Sequence, residues 1–62
     1  SGAEAAASRA LRALVEDLLE QRQQARKAKD FATADQLRER LQNCGIAVED
    51  TPDGPTWTLK DR

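Results

Sequence analysis

The hydrophobic period of this chain changes once, at Gly45. Before it, apolar residues recur at helical spacing. Leu11, Leu14, Val15, Leu18 and Leu19 fall at i, i+3, i+4, i+7 and i+8, and Arg22 and Ala25 carry the stripe on. After it, Ile46 and Val48 alternate with Ala47 and Glu49, and Trp57 and Leu59 alternate with Thr56, Thr58 and Lys60. A chain patterned in this way folds as helices first and strands second. The fold class expected is small α+β, an antiparallel helical hairpin followed by a two-stranded β-hairpin packed on it.

The element bounds follow from local chemistry. Ala, Leu, Glu, Gln and Arg dominate from about Ala5 to Ala28, and neither Gly nor Pro interrupts that run. Asp30 has the side chain of an N-cap, so a second helix is expected over Phe31–Asn43. Ala34, Leu37, Leu41 and Cys44 form its core face. Gly45 suits the left-handed position that stops it. The two helices are joined almost without a loop and should fold back on each other. Thr51-Pro52-Asp53-Gly54-Pro55 is turn chemistry between strands expected at Ile46–Glu49 and Thr56–Lys60. Residues 1–9, which begin SGAEAAAS, read as a linker or tag remnant running into the helix. Residues 10–44 form the helical hairpin and residues 45–62 the β-hairpin, all within one domain.

Sixty-two residues can bury only a small core. About a dozen large apolar side chains are available, enough roughly to offset the ordering entropy. No apolar run is long enough to cross a membrane.

The residues that are missing narrow the chemistry. The chain has no His, no Tyr, no Met and a single Cys. No internal disulfide is possible, which suits a reduced, cytoplasmic setting. One Cys without His does not make the usual structural zinc site, and a Cys nucleophile needs a neighbouring base. Cys44 therefore reads as a small buried packer. No catalytic residue and no metal ligand is expected here. Ten basic and eleven acidic residues give a net charge of −1, so any nucleic-acid contact must come from a local patch.

Two local patches stand out. Arg22, Arg26, Lys27 and Lys29 gather where the first helix ends. They either complement the helix dipole or hold phosphates. On the second helix, Asp35, Arg38 and Gln42 fall within about 40° of Phe31 on an ideal wheel, beside the core face. An aromatic ring among hydrogen-bonding groups suits an unstacked RNA base. Packing of Phe31 against the first helix is the plainer alternative. Asp50 reads by itself as a turn residue, and Trp57 as core.

The run from Gln21 to Trp57 closely resembles the C-terminal segment of cysteinyl-tRNA synthetases. The motif ARxxKDFxxAD, then LR, then GIxxEDTPxGxxW matches in order and spacing over roughly the last two thirds of the chain. The resemblance implies an anticodon-binding domain that lies against the anticodon loop of the cysteine tRNA. It implies polar base contacts from Arg26, Asp35 and Asp50 and a stacking aromatic at Phe31, where some members carry Trp. It also implies a parent ligase that joins cysteine to tRNA using ATP, with zinc and the nucleotide motifs in a separate catalytic domain. The parent's catalytic and helical domains would then be partners of this one. KDFATADQLRERL is also similar to the UVR motif, a helical hairpin that mediates protein–protein contact. That match stops at Leu41 and leaves the strands unexplained.

Overall fold

The computed structural model describes residues 1–60. Helix α1 spans Gly2–Lys27, α2 Phe31–Asn43, β1 Ile46–Thr51 and β2 Gly54–Leu59. This is the α+β order expected. The last two residues of the C-terminal hairpin segment, 61 and 62, lie outside the described residues.

Helix α1 starts two turns' worth of sequence before the apolar stripe. Ser1 caps it by accepting the Glu4 N–H at 3.4 Å. The stretch expected to be a linker is thus helical from Gly2, with every residue from Ser1 to Ala10 exposed. Twenty-six helical residues make a rod of about 39 Å. That rod accounts for a molecule measuring 42 × 22 × 21 Å.

The link between the helices has no spare residue. The Asp30 N–H bonds back to the Ala25 carbonyl at 2.8 Å, and the Lys29 N–H to the Arg26 carbonyl at 2.9 Å. This pair of bonds is a Schellman motif, and it requires the left-handed conformation at Lys29, where φ is +59°. Asp30 then begins α2. Its carboxylate accepts the Thr33 N–H at 3.2 Å and the Thr33 hydroxyl at 2.6 Å. One residue thereby closes the first helix with its backbone and opens the second with its side chain.

Gly45, at φ +87°, ends α2 as expected. The strands pair antiparallel, with Ile46 opposite Leu59, Val48 opposite Trp57 and Asp50 opposite Pro55. Both strands run further toward the turn than the pattern suggests, because only Pro52 and Asp53 are left to make it. Pro52 locks its own φ negative, which excludes the primed turns usual in two-residue hairpins. The positive φ falls to Gly54 instead, at +116°. The Thr51 hydroxyl ties the turn by donating to the Gly54 carbonyl at 2.6 Å. At the open end, the Lys60 N–H donates to the Gly45 carbonyl at 2.8 Å.

The core joins Val15 and Leu19 of α1, Leu41 of α2, and Ile46 and Val48 of β1, with Leu11, Leu18 and Trp57 packed around it. Leu37, Ala25 and Ala34 are also buried. This core is smaller than the supply of apolar side chains, for three reasons. Leu14 lies about 80° from the centre of the buried α1 stripe and stays exposed. The hairpin rests on α2 through β1, so Leu59 on the outer strand is exposed although Ile46 opposite it is buried. Cys44 is exposed, contrary to its expected burial. It is the C-cap of α2, where the chain turns away, and Ile46 takes up the contact with Leu41.

Candidate nucleic-acid interface

Period-two alternation does not stop at Val48. Asp50 is the next residue on the same strand face, and it meets Arg22, the next polar step on the buried stripe of α1. Arg22 is 5% exposed, the only charged residue so deeply placed among those described. Its Nη1 donates to Asp50 Oδ1 at 2.9 Å and its Nη2 to Oδ2 at 2.8 Å. The fork matches a carboxylate edge to edge, and it offsets the cost of taking the guanidinium out of water.

Two further guanidiniums reach the same carboxylate. Arg26 Nη1 lies 3.4 Å from Oδ1, and Arg38 Nη1 lies 3.9 Å from Oδ2. Arg38 Nη2 also donates to the Val48 carbonyl at 3.2 Å, tying α2 to β1. The Arg22 hydrogen bonds hold the Asp50 carboxyl below the usual carboxylate range, against the cost of partial burial, and the charges of Arg22, Arg26 and Arg38 lower it further. The Arg22 pKa is raised, first by its hydrogen bonds to Asp50, and Asp35 adds a favourable field from α2.

Beside this cluster runs a groove of about 540 Å³. The end of α1 contributes Gln23, Arg26 and Lys27, the start of α2 contributes Phe31, and the hairpin turn contributes Asp50, Thr51, Pro52, Gly54 and Pro55. Phe31 is 58% exposed, so it does not pack as core. The tight Schellman turn between the helices is what sets Phe31 next to Arg26 and Lys27. A half-open cleft with a bare ring, two cationic side chains and a carboxylate can stack a base and bond its edges.

The sequence-derived residues therefore divide. Arg26, Lys27, Phe31 and Asp50 share one groove. Arg38 stands behind it at the carboxylate. Asp35 is exposed on α2 outside the groove lining. Lys29 is exposed at the left-handed turn. Arg22 does not fit the phosphate contact expected of it, because its side chain is buried against Asp50. Asp50 is more than a turn residue, since it is the partner that makes Arg22 tolerable inside the fold. Arg12 was not singled out by pattern. It stands with its guanidinium carbon 5.7 Å from the centre of the half-buried Trp57 ring. Its position on α1 gave no signal, since register against β2 decides that contact. Among the described residues, no group of three or more His, Cys, Asp or Glu could hold a metal ion. No helix among them is long and apolar enough to cross a membrane.

Residues 8–57 match a family model described as the cysteinyl-tRNA ligase anticodon binding domain. The chain belongs to this family.

The full-length relatives agree. A cysteine–tRNA ligase from Bifidobacterium longum is 59% identical over 51 residues, which are 82% of this chain and 9% of that protein. One from a Nocardioides species is 56% identical over 46 residues, 74% of this chain and 10% of that protein. One from Leifsonia xyli is 51% identical over 55 residues, 89% of this chain and 12% of that protein. The chain thus spans about a tenth of the length of these relatives. The family match runs through β1 and into β2 as far as Trp57, a stretch that the protein-contact hairpin reading leaves out. That alternative has no support from these relatives.

Proposed function

We infer that this chain binds the anticodon loop of the cysteine tRNA on behalf of a parent cysteine–tRNA ligase. The observation that carries this reading is the convergence of Arg26, Lys27 and Phe31, from the helix junction, with Asp50, about twenty residues further along the chain, on one groove. Phe31 offers a stacking face. Arg26 offers a fork to a base edge such as that of guanine, and the solvent-facing edge of the Asp50 carboxylate, whose side chain is 40% exposed, accepts from an exocyclic amino group. Asp35, exposed on α2, adds a second acceptor to the same side of the domain. Lys27 and Lys29 supply charge for phosphates.

In this reading the chain does no chemistry. Cysteine activation with ATP, and the zinc that goes with it, belong to the catalytic part of the parent. This chain contributes positioning, and the neighbouring domains of the parent and the tRNA are its partners in the cytoplasm. The test is a binding titration of the chain with an RNA stem-loop carrying the cysteine anticodon, run at several salt concentrations. Binding that weakens with salt, and weakens further when an anticodon base is changed, supports the reading. Binding that ignores the anticodon sequence removes it.

A further inference from the structure

We propose that Arg22 is a positioning residue for the RNA-reading face. It fixes the Asp50 carboxylate and, through it, the half-exposed guanidiniums of Arg26 and Arg38. This rests on the anticodon-binding reading and names a residue which that reading does not use.

Arg22 is out of reach of RNA, since its side chain is only 6% exposed. Its planar fork grips both Asp50 oxygens, at 2.9 and 2.8 Å, so the carboxylate cannot rotate without losing a bond. Each oxygen then faces a second guanidinium, Arg26 on Oδ1 and Arg38 on Oδ2. The Arg26 and Arg38 side chains are 44% and 42% exposed; Arg26 is tethered at Asp50 and open to solvent elsewhere, while Arg38 is held at its other nitrogen by the Val48 carbonyl as well. Three guanidiniums against one carboxylate leave two positive charges in excess, which the more distant field of Asp35 offsets only in part, and the buried Arg22 cannot present either of them. A long exposed Arg loses rotamer freedom when it binds a base, and a tethered one has already lost part of it. Turning the Asp50 plane would move the Arg26 tether and shift the looser contact to Arg38, which the Val48 carbonyl also holds. A Lys at position 22 keeps a positive charge but offers one point of attachment, so it leaves that plane undefined.

The experiment measures kcat/KM for aminoacylation by the full-length parent, on the cysteine tRNA and on the same tRNA with one anticodon base changed. The variants are Arg22→Lys, Asp50→Asn, the double variant and Arg26→Ala. We expect Arg22→Lys to lower the ratio of correct to altered tRNA about tenfold, the size of one bidentate base contact. The loss should appear in KM for tRNA, leave tRNA-independent cysteine adenylate formation unchanged, and add nothing in the Asp50→Asn background. A structural role alone lowers both tRNAs equally. If Arg26→Ala lowers the ratio and Arg22→Lys does not, the positioning role is overturned while anticodon binding stands. If neither lowers it, both fall. Arg22→Gln, judged by the same outcomes, replaces the Lys variant should the latter not fold at the assay temperature.

Discussion

Arg22 and Asp50 stand 28 residues apart and meet through two hydrogen bonds under 3 Å, joining the long helix to the hairpin. Asp50 also lines the groove, so in the proposed reading stability and recognition share one carboxylate. Removing Asp50 leaves a buried guanidinium without its counterion. For a fully buried pair that costs about 3–5 kcal/mol. The Asp50 side chain is 40% exposed, so water can replace part of it. We expect Asp50→Ala to destabilise the chain by about 1–3 kcal/mol in urea unfolding. Asp35→Ala, on an exposed helix position, should cost less than 0.5 kcal/mol or so. Equal losses would mean the pair carries no stability.

Acid should unfold this domain through the same group. Asp50 and Asp30 both have carboxyls held below their ordinary range, Asp50 first by Arg22 and Asp30 first by the Thr33 hydroxyl. The folded state therefore binds protons less readily than the unfolded state. The stability this gives is whole above the ordinary carboxylate pKa, and is lost as pH falls through the lowered folded values. Urea midpoints should stay flat from neutral pH down to the ordinary carboxylate range and drop below it. Asp50→Asn should flatten part of that drop. An unchanged acid limb in the variant would contradict the assignment.

Lys29 holds a left-handed backbone that side chains disfavour. Glycine adopts it freely, although it loses more entropy on folding. The balance predicts that Lys29→Gly stabilises the chain by about 0.5–1 kcal/mol. A thermal scan that shows destabilisation would place a side-chain contact at Lys29.

Cys44 is exposed at the end of α2. A thiol reagent should label it in the folded chain at a rate close to that of an unfolded peptide. Strong protection would show that the C-cap packs inward.

The pattern of the chain made the element order legible because each level agreed. Helical spacing, the Asp30 cap, Gly45 and the Pro-Asp turn all pointed to one arrangement. What it hid was tertiary. Arg22 was visible on the apolar stripe and Asp50 two steps beyond Val48, but each alone resembles a surface charge. Only the shared core, which brings Ile46 and Val48 of β1 to Val15 and Leu19 of α1, makes them partners. Leu14, Leu59 and Cys44 carry apolar signals at positions where a small core runs out of neighbours. Phe31 was legible as a choice between packing and stacking, and its exposure favours the second.

The most direct test is therefore Phe31→Ala in the full-length parent, assayed on the cysteine tRNA and on a tRNA with an altered anticodon. Phe31 is exposed, so the variant should keep its thermal stability. Losing one stacked base should lower kcat/KM on the correct anticodon by about 1–3 kcal/mol, with a smaller loss on the altered one and no change in cysteine adenylate formation. Equal losses on both tRNAs, or none on either, would contradict the claim that this groove reads the anticodon.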